Sequence, residues 1–320
     1  LEQLARSGKK GFRQLLEVAR LTGRSLSYGS IAFGMAPRIN AVGRLGDAMP
    51  AFELLTTFSD DVARDRAAQL DEVNKKRQAL DARIFEEAMD ELDSRSDPGL
   101  VVLASEKWHA GVIGIVASRI KEQFGRPAVL IALKEGMGRG SARSVPGFAL
   151  HEALEKCSDL VEQAGGHALA AGLVIRQENI PAFRERMQGL FDAEKEKIAS
   201  PGALNLDAPI TLDECSWETL AELDRMSPFG PGNERPLFLA EDVSVISGFR
   251  PVGKNHIKFL ASQNGVARDC IAFQVGHHVA PEWNTYGQVD VAFALEENRW
   301  GGERRLQLNV RGVRKAEKMP

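Results

Sequence analysis

Between residues 60 and 93, apolar side chains recur at near three-four spacing, at Val62, Leu70, Val73, Leu80, Ile84, Ala88 and Leu92, with charged residues filling most other positions. That period belongs to one amphipathic helix. A run of more than thirty residues far exceeds the average helix of about 11–12, so it predicts a connector between two lobes. The segment is also acidic, because residues 59–97 hold twelve Asp/Glu against seven Lys/Arg. The sequence SRSDPG (94–99) breaks the helix.

On either side of this connector the period changes. Residues 1–20 carry leucines at helical spacing but begin without a cap, so they read as the continuation of something longer. Glycines at 29, 34, 43 and 46 are expected to interrupt any long helix over 28–48. From residue 99 strands alternate with helices: strands at 100–104 and 127–133, a strand or loop edge at 138–144, a strand over 167–175, and helices over 109–124, 148–157 and 179–198. This alternation predicts a layered α/β unit over 98–198. Residues 199–209 form a linker by their Pro, Gly and Asn content. A short helix near 217–223 and five short strands separated by turn residues follow, which suits a five-stranded, OB-like barrel within 199–320. The expected class is therefore α/β plus all-β.

Composition narrows the function classes. With 43% hydrophobic residues in 320, the chain can bury two or three cores. No apolar run reaches the roughly 18 residues of a membrane span, and the first residues show no basic start followed by a hydrophobic stretch and a small-residue cleavage site. A cytoplasmic protein without membrane contact is expected. Cys157, Cys215 and Cys270 are odd in number and lack metal-ligand spacing, so they are expected to be reduced thiols. The net charge of -3 excludes a globally basic nucleic-acid binder. Residues 241–315 nevertheless carry ten Lys/Arg against eight Asp/Glu, so any basic surface is local.

Four polar clusters stand out. In EQAGGHALAAGLVI (162–175), Gly165 and Gly166 precede His167. Consecutive amides on a glycine backbone form an anion nest, or the glycines make a plain turn into a buried strand with a core-edge histidine. GMGRGSARSVPG (136–147) supplies Arg139, Ser141, Arg143 and Ser144. Arginine matches phosphate oxygens in a bidentate fashion and serine adds a hydrogen bond, while the alternative is a solvated hairpin. In an extended segment Arg139, Ser141 and Arg143 share one face and Ser144 takes the other. PRINAVGR (37–44) offers Arg38, Asn40 and Arg44, or ordinary turn chemistry. For Trp108-His109, a packing indole and a capping imidazole are the expected roles.

In order, IAFGMAPRINAVGRLGDA, EKWHAGVIGIVASRI, GRGSARS, AGGHALAAGL and SPFGPGNERPLF before a β-rich tail resemble the RecJ-type single-strand-specific exonucleases of the DHH phosphoesterase superfamily. The resemblance covers almost the whole chain. It implies a 5'-to-3' exonuclease degrading single-stranded DNA in recombination and repair. Residues 1–58 would then be the end of a DHH lobe, 59–97 the connector, 98–198 a DHHA1-type domain and 199–320 a linker with an OB-fold that tracks the strand. It further implies that Ser141, Arg143 and His167 grip phosphates near the scissile bond, with His167 a candidate catalytic residue. Gly165 and Gly166 would allow close approach, and Arg38 and Asn40 would line the same cleft.

One departure qualifies this. DHH enzymes hold two divalent ions with several Asp and an adjacent His pair, and this chain has no Asp-His-His. Its one His-His, His277-His278, reads as a loop in the barrel. The Mn2+ or Mg2+ ligands of such an enzyme are expected upstream, so the chain alone is expected to bind DNA without cleaving it. Single-strand-binding protein is a partner the family implies, and a monomer is expected. Two other readings stay open: a non-catalytic single-strand-binding module, and a DHH-type phosphoesterase acting on short nucleotides.

Overall fold

The computed structural model describes residues 1–24, 26–92, 99–198, 204–230, 232–253, 256–273, 283–284, 287–300 and 303–316. It divides into two compact units, Leu1–Pro201 and Gly202–Pro320.

The first unit opens with helices α1 (Glu2–Ala5) and α2 (Lys10–Val18), then a π-helical turn (Ser30–Met35) that runs into α3 (Ala36–Leu45). The glycines therefore act differently from expectation: Gly34 and Gly43 sit inside helical turns, and only Gly46 ends one. Helix α4 (Met49–Thr56) precedes α5 (Asp60–Leu92), whose 33 residues match the long helix expected from the spacing. Its buried stripe is shifted at the start, since Ala63 and Ala67 are fully buried whereas Val62 is exposed. Small residues there let α2, α3 and α4 pack closely on the helix and form one core with Leu15, Leu54 and Leu70. Farther along, Ile84, Ala88 and Leu92 enter a second core with the α/β elements. The helix thus joins two cores within one unit.

Those elements are β1 (Val101–Ser105), α6 (Ile113–Phe124), β2 (Ala128–Lys134), β3 (Met137–Arg143), α7 (Leu150–Glu155), β4 (Val161–Gly166), β5 (Ala170–Arg176) and α8 (Ile180–Glu194). The strands form one sheet in the order β1-β2-β3-β5-β4, with β1 and β2 parallel and the rest antiparallel. Alternation along β2 and β3 assigns the two faces. Val129, Ile131 and Ala142 join the core of α7 and α8, and Ala128 and Leu130 join that of α6. Strand β4 is additional to the expected set. Its sequence VEQAGG lacks the β-branched alternation of a strand, and pairing with β5 holds it in place.

The second unit contains β6 (Ala208–Pro209), α9 (Trp217–Asp224), β7 (Phe238–Val245), β8 (Arg250–Val252), β9 (His256–Gln263), β10 (Val266–Ala272), β11 (Gln288–Trp300) and β12 (Glu303–Lys315). Ser216 caps α9 by accepting the Thr219 amide. Among the described residues seven strands pair here where the hydrophobic pattern predicts five, in the order β6-β7-β11-β12-β10-β9-β8, and β7 also pairs with β9. The additional strands, β6 and β8, are only two and three residues long, too short to leave a hydrophobic period. Phe249, Phe259 and Phe293 fill this core, whereas Phe273 is exposed and meets His256 edge-on at 5.2 Å. His277 and His278 lie outside the described residues.

Candidate functional site

Strand register gathers the predicted residues of β3, β4 and β5. Ser141 pairs with Gly172, which pairs with Gly165, so one row crosses three strands. Two rows along, on the same face, Arg143 pairs with Ala170, whose carbonyl accepts the His167 amide at 2.8 Å. With strands about 4.8 Å apart, the backbones of Arg143 and His167 are separated by roughly two spacings. The turn between them is fixed. Amides of Ser144 and Leu150 donate to the carbonyls of Leu169 and Ala168, both at 2.9 Å. Gly166, at φ 152°, occupies a conformation that L side chains rarely adopt, and an added Cβ would lie 2.4 Å from the Ala170 carbonyl oxygen. His167 is exposed, so the core-edge alternative does not describe it.

This arrangement leaves a bare floor. A Cβ added at Gly165 would meet open space, and one at Gly172 would meet only the Gly140 carbonyl oxygen at 3.9 Å. Beside the floor, Arg143 donates from Nη1 to Ser141 Oγ at 3.1 Å and to the Ala142 carbonyl at 2.8 Å. Both side chains lie against the first turn of α6. A Cβ on Gly114 would come within 2.8 Å of Ser141 Oγ and 3.2 Å of Arg143 Nη2. A hydroxyl, a guanidinium and the positive end of a twelve-residue helix therefore meet at one spot. Ser144 faces the other way, as the alternation predicts, and its buried hydroxyl donates to the Phe148 carbonyl at 2.7 Å.

Arg44 completes the cluster, from a segment whose expected contributors are Arg38 and Asn40. It lies in the last turn of α3, and the Gly111 turn before α6 approaches so closely that a Cβ on Gly111 would fall 1.9 Å from the Arg44 carbonyl oxygen. Only glycine fits there. Arg44 Nη1 also reaches the Gly111 carbonyl at 3.4 Å. Burial, and then the neighbouring charge of Arg44, pull the Arg143 pKa below the ordinary arginine value. The sequence signal for Arg44 is its Gly-Arg position at a helix end, but nothing local ties it to Arg143, almost a hundred residues away.

Arg38 is placed differently from expectation. Its Nε donates to Asp71 at 2.8 Å, and its terminal nitrogens donate to the Gly34 and Val18 carbonyls. A guanidinium has five N–H donors, and three are engaged in tying α3 to α5, α2 and the π-helical turn. Asn40 is exposed on the same helix. Trp108 and His109 take their structural roles: the indole is buried and donates to Glu87 at 2.9 Å, while His109 accepts the Gly111 amide on Nδ1 at 3.1 Å.

Residues 97–193 match the DHHA1 domain model, and residues 206–312 match the RecJ OB domain model. The chain belongs to the RecJ family. It is 30% identical to the single-stranded-DNA-specific exonuclease RecJ of Bacillus subtilis over 99% of its own length and 41% of that protein. To the Escherichia coli protein of the same description it is 32% identical, over 96% of this chain and 55% of the relative. The crystal structure of Thermus thermophilus RecJ in complex with Mg2+ superposes with a TM-score of 0.82 at 31% identity, covering 99% of this chain and 48% of that one. The same protein has been solved with Mn2+. The chain thus spans about half the length of the curated relatives it matches.

Among the described residues no group of three or more His, Cys, Asp or Glu is placed to hold a metal ion. Nor is any described helix long and apolar enough to cross a membrane.

In the second unit an open groove is lined by Arg250, Lys258, Phe259, Asp269, Arg305 and Gln307. Arg305 is paired to Glu303 at 2.6 Å, and Arg250 and Lys258 are exposed.

Proposed function

We propose that this chain is the DNA-clamping part of a 5'-to-3' exonuclease that hydrolyses phosphodiester bonds of single-stranded DNA in the cytoplasm, in recombination and repair. The observation that carries the reading is the meeting of Ser141 and Arg143 at the first turn of α6, beside the floor of Gly165 and Gly172, with Arg44 against the Gly111 turn just before that helix. Such a site takes a phosphate group. The guanidinium groups supply charge-assisted hydrogen bonds worth about 1.5–3 kcal/mol each, and the glycine floor admits the sugar-phosphate backbone without a side chain in the way. His167, exposed at the rim, adds an imidazole donor or proton carrier toward the scissile bond. Gly166 fixes its turn. Arg38 supports α3 from within, and Asn40 stands on the solvent side of the same helix.

In the whole enzyme Mn2+ or Mg2+ would supply the activated water, held by residues outside this chain. This chain's residues bind, orient and neutralise the phosphate. The groove with Arg250 and Lys258 would track the strand downstream, as basic grooves on such folds do. The chain works as a monomer, with single-strand-binding protein as a candidate partner.

Titrating the chain with oligothymidylate tests the reading. Arg143→Ala should weaken binding of 5'-phosphorylated strands, and His167→Ala should lower nuclease activity of the whole enzyme while leaving thermal stability unchanged. Equal binding by Arg143→Ala and the unsubstituted chain would remove Arg143 from the site. Hydrolysis of dinucleotides but not of long strands by the whole enzyme would instead favour a short-nucleotide phosphoesterase.

A further inference from the structure

The second unit holds a polar atom that its own fold leaves unmatched. Cys270 and Ala272 of β10, Leu308 and Val310 of β12, and Phe293 and Leu295 of β11 join the core. The residues between them, Ile271, Asn309 and Ala294, therefore take the opposite face of the sheet. Register sets these three side by side, because Asn309 pairs with Ile271 on one flank and with Ala294 on the other. The row continues through Lys258, opposite Ile271, to Arg250, opposite Lys258. It thus runs from the two exposed cations of the groove to an amide. With strands about 4.8 Å apart, Lys258 and Asn309 are separated by roughly two spacings.

Asn309 is only 7% exposed. Its Nδ2 donates to Glu296 Oε1 at 3.0 Å. A carboxylate oxygen can only accept, so this bond fixes which end of the amide is which and leaves the carbonyl oxygen Oδ1 turned away from Glu296. Oδ1 is buried and has no hydrogen-bond partner among the described residues. A buried acceptor without a donor costs free energy until one arrives. The surroundings suit a flat ligand that carries such a donor. Ile271 and Ala294 flank the amide with apolar surface, both buried outside the core cluster. Phe273, two residues beyond Ile271, is 45% exposed, with its ring edge-on to His256. An aromatic ring held at the surface in this way offers a face for stacking.

We propose that Asn309 and Phe273 form a nucleobase subsite that selects bases bearing an exocyclic amino group: Phe273 stacks on the base, Asn309 Oδ1 accepts from the amine, and Lys258 and Arg250 hold the adjoining backbone phosphate. Gln307 and Arg311 flank Asn309 on its own strand and face, and they are half-buried and exposed respectively, so flexible side chains give way as the base enters. Cytosine and adenine present an amine that protrudes from the ring, whereas thymine presents a carbonyl oxygen there. The ring N–H of thymine or uracil sits between two carbonyl oxygens that reach further than it does, so a recessed acceptor meets oxygen first. The grip of the second unit therefore depends on base composition. The inference rests on the reading that its groove tracks single-stranded DNA.

The test titrates the chain, at fixed salt, with 5'-phosphorylated oligodeoxycytidylate and oligodeoxyuridylate of equal length, whose bases share one shape and differ along one edge. The cytidylate should bind about five- to tenfold more tightly. Equal affinities, or tighter binding of the uridylate, would overturn the inference and leave the groove reading standing. Binding of neither strand, or binding of both that Lys258→Ala leaves unchanged, would sink the groove reading and this inference with it. Asn309→Leu keeps the volume and removes the acceptor, so it should bring the cytidylate down to the affinity of the uridylate and leave the uridylate where it was. Equal weakening of both strands, or an unchanged ratio in a folded protein, would count against the subsite and overturn it. Phe273→Leu should weaken both strands about five- to tenfold at an unchanged ratio, since stacking tolerates any base, and unaltered binding would overturn the stacking role. If Asn309→Leu does not fold, the side-chain amide resonances of Asn309 in the unsubstituted chain decide the matter: a shift with cytidylate and none with uridylate supports the proposal, and equal or absent shifts overturn it.

Discussion

The two units use cations in opposite ways. In the first, Arg143 is half-buried, bonded to its own strand and set beside Arg44 and the start of α6, so its position is fixed before any ligand arrives. In the second, Arg250 and Lys258 stand exposed along an open groove. A preorganised cation loses little freedom on binding and discriminates by geometry. A solvated lysine gives charge that slides along any phosphate chain. The contrast is between cations preorganised by their own fold in the first unit and cations left solvated in the second.

This contrast can be broken by experiment. The largest effect is expected at Arg143→Ala, which removes charge-assisted bonds of roughly 2–3 kcal/mol and should cost about 30- to 150-fold in affinity for a 5'-phosphorylated strand by fluorescence titration. Next is Gly114→Ala. Its Cβ would press on Ser141 Oγ and Arg143 Nη2, both side-chain atoms that can yield, so the helix should persist while affinity falls about tenfold. Gly165→Ala sharpens the point, because the added methyl meets open space in the free protein. Stability by thermal melt should stay within about 0.5 kcal/mol, and any loss of affinity then belongs to the ligand that needs the floor. In the groove, Lys258→Ala should weaken binding only a few-fold but lower the logarithmic salt slope by about 0.7, whereas a loss as large as that at Arg143 would erase the distinction.

The smallest effect concerns pH. Asp71 is pushed up by burial, yet hydrogen bonding from Lys75 and the charge of Arg38 win, so its carboxyl titrates below the usual aspartate range. A group depressed in the folded state contributes stability above its unfolded pKa of about 3.9 and loses it as pH falls through the lower folded value. Asp71→Asn should therefore melt lower than the unsubstituted chain at neutral pH, with the gap closing below about pH 4.

Much of this is legible in the residues. The helix over Asp60–Leu92 declares itself by period and length, and the α/β order follows from alternation. Ser141 and Arg143 are readable because a period of two puts them on one face of β3. Three things are not. Strand β4 exists through pairing, since VEQAGG has weak strand propensity of its own. Arg38 has the same chemistry as Arg44, and only the tertiary position of Asp71 and the Gly34 and Val18 carbonyls shows that Arg38 is engaged internally. Asn309 reads as one more polar residue on a strand until its carbonyl oxygen proves buried without a partner among the described residues.

The central claim is that a phosphate end seats among Arg44, Ser141 and Arg143 over the glycine floor. Amide chemical-shift mapping with a short 5'-phosphorylated oligothymidylate tests it most directly. The largest shifts are expected at residues 111–114, 141–143 and 165–172, with smaller ones at 250–260. Shifts confined to 250–260, with the glycine floor silent, would contradict it.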